Sequence, residues 1–121
     1  MAINFLLVFA GGGSGCVVRY LIGLGFQRTA LSLPWSTFVA NISACLIFAA
    51  VLWLANIKDM SSNANLKLLM LTGFCGGLST FSSFGYETFL LLKQDLLFYA
   101  FLNIILNTSV CVLIFYIFKY Q

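Results

Sequence analysis

A chain of 121 residues that is 62% hydrophobic, 7% charged and formally +3 at neutral pH cannot cover a water-facing surface, because soluble domains carry about 25% charged residues. Its length suits one compact unit, so the class expected is a single-domain polytopic membrane protein. With no histidine, and carboxylates only at Asp59, Glu87 and Asp95, acid–base or metal-dependent catalysis has almost nothing to work with, and an enzyme is not expected.

Four hydrophobic segments approach the ~20 residues that a spanning helix requires. They run from Ile3 to Phe26, Pro34 to Ala55, Leu66 to Leu92 and Leu96 to Phe118. No Lys or Arg precedes Arg19, so the basic region of a cleaved signal peptide is missing and the first segment is expected to stay as a membrane helix. The connections are residues 27–33, the polar loop 56–65 and a tight turn at Lys93-Gln94-Asp95. Such short loops force antiparallel neighbours. With four spans, Lys58, Lys67 and Lys119 share one side and Arg28 and Lys93 the other. Three against two is a weak orientation signal, compatible with insertion both ways and an antiparallel homodimer, or with one fixed orientation.

The first segment holds Gly11-Gly12-Gly13-Ser14-Gly15, then Arg19-Tyr20. Gly11 and Gly15, four residues apart, predict a face on which a second helix packs closely. Arg19 either snorkels to the interface or attracts anions at a vestibule. The second segment opens on Pro34 and Trp35, which suit a first helical turn and the interfacial belt. Asn41 lies deeper, where its amide serves either as glue between helices or as a donor to a passing anion.

The third segment concentrates the unusual chemistry. Between Gly73 and Phe84 fall three glycines, four hydroxyls and three phenylalanines. Glycines weaken a helix locally, and hydroxyls at membrane depth demand partners, so a break at the glycines that lines a polar path is expected. A break frees carbonyls suited to a small cation and N–H groups suited to an anion. If helix resumes after it, Phe81 and Phe84 share one face, and their positive ring edges can favour an anion without trapping it. Glu87 could pair with Arg19 or sit near an interface. The fourth segment adds Asn103, Asn107, Thr108 and Ser109, which either form a hydroxyl-lined stripe or bond between helices. Cys16, Cys45, Cys75 and Cys111 fall one to a segment without a CxxC pair and read as small buried residues.

These residues together resemble the bacterial fluoride channel family (Fluc, also called CrcB), over almost the full length. Its signatures are a GGxxGxxxRY run in the first helix, an Asn soon after a Pro in the second, and GFCGGLTTFSTF in the third. Here they read Gly12 to Tyr20 with one extra glycine, then Asn41, then Gly73 to Phe84. Ser79 and Ser83 replace threonines; Ala44 and Ser36 stand where glycine is common. The resemblance implies an all-α membrane protein of four helices with a broken third, assembled as a dual-topology antiparallel homodimer in the bacterial inner membrane. It implies two fluoride pores lined by Asn41, Phe81 and Phe84, to which Ser82, Ser83 and Ser109 add hydroxyls, with Arg19 at the vestibule. It further implies a central structural sodium ion on the backbone carbonyls of Gly76 and Ser79.

The function expected is passive, selective export of fluoride. The alternative weighed, a proton-coupled cation exporter of the small multidrug class, needs a carboxylate in the first helix, where this chain has only Arg19 as a charge. A purely structural membrane subunit would explain the spans but not the cluster from Gly73 to Phe84.

Overall fold

The computed structural model describes residues 1–27, 33–57 and 63–119. Arg28, Lys58 and Asp59, on which part of the charge balance rests, lie outside the described residues. The chain is all-helical there: α1 (Ala2–Phe26), α2 (Trp35–Ile57), α3 (Ala64–Lys67) running into a π-helical stretch (Leu68–Cys75) and α4 (Gly76–Leu78), then α5 (Phe81–Lys93) and α6 (Leu97–Lys119). Four spans follow, the third of them Ala64–Lys93, each long and apolar enough to cross a membrane.

Local chemistry sets several ends. Asn63 caps α3, its Oδ1 accepting from the Leu66 N–H at 3.2 Å, a standard use of an Asn side chain at an N-cap. The expected turn after α5 is present. Asp95 takes the left-handed conformation at φ 58°, and the Asp95 and Leu96 N–H groups donate back to the Leu92 and Leu91 carbonyls at 3.1 and 3.0 Å. This pair of bonds closes a helix end that usually carries glycine in the left-handed position.

The packing face predicted on α1 is real, and its counterpart lies in the third span. A Cβ on Gly15 would strike the Phe74 and Leu78 backbone, and one on Gly77 would strike the Gly12 backbone. Gly11 and Gly73 meet in the same way one turn earlier. Both helices thus carry glycines four residues apart and interlock backbone against backbone. In a bilayer, where apolar side chains gain nothing by leaving lipid, such close approach is what holds helices together. The sequence places the break at these glycines; the structure corrects that. No glycine has positive φ, Gly76 and Gly77 are helical, and the extended residues are Ser79 and Thr80.

The remaining core is small: Ala40, Ala44, Cys75 and Leu78, flanked by Val18, Ile22, Ile47, Phe48 and Phe74. Only 11–28% of each span is buried. The outer faces are large apolar surfaces, including Phe5, Phe9, Phe81, Phe98 and Phe101, which water would not tolerate and a bilayer or another chain would cover.

Candidate functional site: two cavities joined at a helix break

At Ser79 the chain leaves the helix (φ −77°, ψ 154°), and at Thr80 it is fully extended (φ −151°, ψ 113°) before α5 begins. Extended backbone at membrane depth needs partners from elsewhere, and they are supplied. Asn41 on α2 accepts the Thr80 N–H on its Oδ1 at 2.8 Å, while its Nδ2 donates to Asn107 Oδ1 on α6 at 3.1 Å. Thr80 Oγ1 accepts the Ser83 N–H at 3.2 Å and so caps α5; it also bonds the Ser83 hydroxyl at 3.1 Å and lies 3.2 Å from that of Ser82. Asn107 in turn donates from Nδ2 to Asn103 Oδ1 at 2.9 Å, and Asn103 donates to Thr88 Oγ1 at 2.9 Å. Asn103 and Asn107 are buried. One continuous polar chain therefore runs from the break into α6.

Two cavities flank the break. The first, about 320 Å³, is lined by Asn41, Cys45, Ser79, Thr80, Phe81, Phe84, Asn107, Thr108, Cys111 and Val112. Phe81 and Phe84 lie with ring centroids 5.6 Å apart, their planes tilted by 49°, within the distance range of an aromatic pair. Phe81 is 83% exposed on the bundle surface, which leaves this cavity open on its outer side. The second, about 400 Å³, is lined by Cys16, Arg19, Tyr20, Gly23, Ser36, Thr37, Thr80, Ser83 and Glu87. Arg19 Nη1 donates to the Ser79 carbonyl at 3.4 Å and Nη2 to Cys16 Sγ at 3.5 Å. Glu87 Oε1 accepts from Thr37 Oγ1 at 2.7 Å, and its Oε2 is buried with no hydrogen-bond partner among the described residues. Thr80 lines both cavities.

Comparison with known proteins identifies the scaffold. The family described as "CrcB-like protein, Camphor Resistance (CrcB)" matches residues 6–118. The chain belongs to this family. Among its relatives is a fluoride-specific ion channel FluC of Methanocaldococcus jannaschii, 38% identical over 96% of this chain and 91% of the relative. Proteins of the same name from Klebsiella pneumoniae strain 342 and Prosthecochloris aestuarii are 40% and 41% identical, each over 83% of this chain and 78% and 77% of their own lengths.

In this CrcB-family chain, Asn41, Phe81 and Phe84 come together in one cavity. Ser83 and Arg19 sit in the other. Ser82 is exposed beside Thr80, and Ser109 lies on the exposed side of α6, outside both linings; Asn107 and Thr108 supply that helix's polar atoms instead. Gly76 and Ser79 share a third cavity of about 150 Å³ with Ala44, Cys45, Leu71 and Phe115. Thr37 and Thr80 are site residues that the sequence pattern did not single out, whereas Asn107 belongs to the polar stripe expected on the fourth segment. Glu87 bonds Thr37 and lines the same cavity as Arg19. Taken from Gly11, whose backbone meets Gly73, the first-helix signature runs to Tyr20 without the extra glycine.

Proposed function

We propose that this chain is a subunit of a fluoride-selective channel that lets fluoride leave the cell down its gradient. The observation that carries this reading is the cavity in which the Phe81 and Phe84 rings face the amides of Asn41 and Asn107 at the Ser79–Thr80 break, in a chain related over most of its length to proteins named fluoride-specific channels. Fluoride is small and strongly hydrated, so replacing its water is the costly step. Amide and hydroxyl donors together with positive ring edges offer that replacement while keeping binding weak enough for release.

Because Thr80 lines both cavities, the route we infer runs from the Arg19 side, where a guanidinium concentrates anions, past the Thr80 and Ser83 hydroxyls to the phenylalanine side. The open flank of the phenylalanine cavity supports assembly with a second copy in antiparallel orientation, which would close it. In cells that acidify their surroundings, HF enters and dissociates inside; a passive pore then returns fluoride outward.

A structural sodium ion at the carbonyls of Gly76 and Ser79 is part of the proposal. The residues fit it. Both line one cavity, and nothing stands within 4 Å of the Cβ position of Gly76. The Ser79 carbonyl is released from helical bonding by the extended backbone and accepts a long 3.4 Å bond from Arg19 that a cation would have to displace. Oxygen-only donors suit a hard cation. When bound, such an ion would fix the carbonyl side of the break. The proton-coupled exporter reading is not favoured, since α1 presents Arg19 and no carboxylate.

The test is flux from liposomes holding purified protein. Fluoride should leave rapidly while chloride is retained; equal rates for the two anions would overturn the assignment.

A further inference from the structure

Two side-chain contacts between α2 and α6, about two helical turns apart, fix the register of the two helices. Asn41 bonds Asn107 at 3.1 Å, and farther along Phe48 meets Phe115 edge-to-face with centroids 5.6 Å apart. Between these contacts, in the same register, stand Cys45 and Cys111, four residues beyond Asn41 and Asn107 respectively. Residues four apart share a helix face, so the two thiols are brought together by the same geometry that fixes the contacts on either side. Both are free and half-buried, and both line the cavity of Asn41, Phe81 and Phe84.

We propose that Cys45 and Cys111 form a two-thiol binding site for a soft divalent metal ion, and that its occupancy closes the cavity. The occupancy effect rests on the proposed channel function; the binding does not. Thiolates select soft metals, and the reaction is a ligand exchange that needs no oxidant. Each thiol loses a proton to water, two metal–sulfur bonds replace two bonds from the metal to water or chloride, which leave, and the product is M(SR)₂ with two protons released. Ligand number and charge narrow the ion further. Ions that demand four ligands, such as zinc, are poorly served, because no group of three or more Cys, His, Asp or Glu exists among the described residues. An ion content with two sulfurs, of the mercuric type, is well served. Its divalent charge is cancelled by two thiolates, which matters at membrane depth, where a net charge is expensive. The complex would stand one turn from the Asn41–Asn107 bridge, beside the path between the amides and the rings. Of the other thiols, Cys16 is exposed on the opposite cavity, and Cys75 is buried beside Cys45 in the third cavity but does not line the one that Cys45 and Cys111 share, which makes them the controls.

The experiment uses mercuric chloride on the purified chain. After loading, the protein is washed with excess glutathione, which strips a metal held by one sulfur more readily than one chelated by two, and retained mercury is measured by mass spectrometry. The wild type, Cys16→Ser and Cys75→Ser should retain it; Cys45→Ser and Cys111→Ser should lose it. Retention by either of the latter, or loss from Cys75→Ser, would overturn the pair. In liposomes, fluoride efflux is compared with each protein's own mercury-free rate. Wild-type efflux should fall to background and recover with a dithiol chelator, and efflux that persists with mercury retained would refute closure. The binding arm is read without flux. A wild type with no fluoride efflux at all would therefore overturn the proposed function, while mercury retention would still decide for or against the thiol pair.

Discussion

Replacing Asn41 by alanine should disturb the break more than any other single change in the polar chain. The substitution removes two bonds with different energetics. The amide–amide bond to Asn107 joins two helices, and interhelical bonds of this kind in membranes average about 0.6 kcal/mol, because the separated helices also find partners. The bond to Thr80 N–H is another matter. Thr80 is 7% exposed, lies outside any helix, and has no neighbouring carbonyl in helical register to take its proton. A buried donor left without an acceptor costs about 1–3 kcal/mol. The sum expected for Asn41→Ala is therefore about 2–4 kcal/mol, most of it at Thr80. A double-mutant cycle between Asn41→Ala and Asn107→Ala, read by reversible unfolding in detergent, isolates the amide–amide part. Its coupling should be near the small membrane value, well below the full Asn41→Ala effect. Hydrogen exchange gives an independent readout, with faster exchange at the Thr80 amide in Asn41→Ala and little change there in Asn107→Ala. A coupling energy equal to the whole Asn41→Ala effect, or an unchanged Thr80 exchange rate, would refute the argument that Asn41 holds the break.

Other predictions are simpler. Gly77→Ala forces a methyl into the Gly12 backbone, which cannot swing aside as a side chain could; overpacking of this kind costs about 1–3 kcal/mol or more, and a markedly lower yield of folded protein on size exclusion is expected, whereas Gly13→Ala, with nothing within 4 Å, should behave as wild type. Asp95→Gly relieves a left-handed conformation that costs an L-residue about 1–2 kcal/mol, so unfolding should require more denaturant; a loss of stability would mean the Asp95 side chain contributes something its backbone does not. Phe81→Ile or Phe84→Ile should sharply reduce fluoride efflux while the protein still folds, and unchanged flux would make the rings packing only. Reporters fused to the C-terminus should be found on both faces of the membrane if the chain inserts both ways, and a single location would refute that part of the proposal.

The four spans were legible because hydrocarbon length imposes ~20 apolar residues, a signal that survives ignorance of everything else. The break was legible in existence and misplaced in position, for a definite reason. Glycine has two uses, a freer backbone and a missing Cβ, and a single segment does not reveal which is in play. Gly76-Gly77 read as flexibility; Gly77 in fact serves close approach to Gly12, a partner 65 residues away. The helix ends instead at Ser79, two residues later, where Asn41 can accept the Thr80 N–H. That contact spans 39 residues and two helices, so no local pattern encodes it. The rotation of α6 was legible only in part. Asn103 and Asn107, four residues apart, share the buried face, but in a helix apolar nearly all round Ser109, which is exposed, could not be told from them by composition alone.

The distribution of hydrogen bonds bears on how such a site could conduct. Among the described residues, the amides and the Thr80 hydroxyl of the phenylalanine cavity are already engaged: Asn41 with Thr80 and Asn107, Asn107 with Asn103, Thr80 with Ser83. A cavity lined by orphan donors would bind fluoride as a trap, since each donor would recover its full desolvation cost only by holding the ion. Here an arriving anion must instead share or displace a bond that the protein remakes when the ion leaves. The net gain at each step is then a difference between two similar bonds, small enough for release, and conduction requires such weak, repeated binding. The same balance explains why the ring edges of Phe81 and Phe84 matter on the proposed function. They make no hydrogen bond of their own, and they attract an anion without forming a bond that must later be broken.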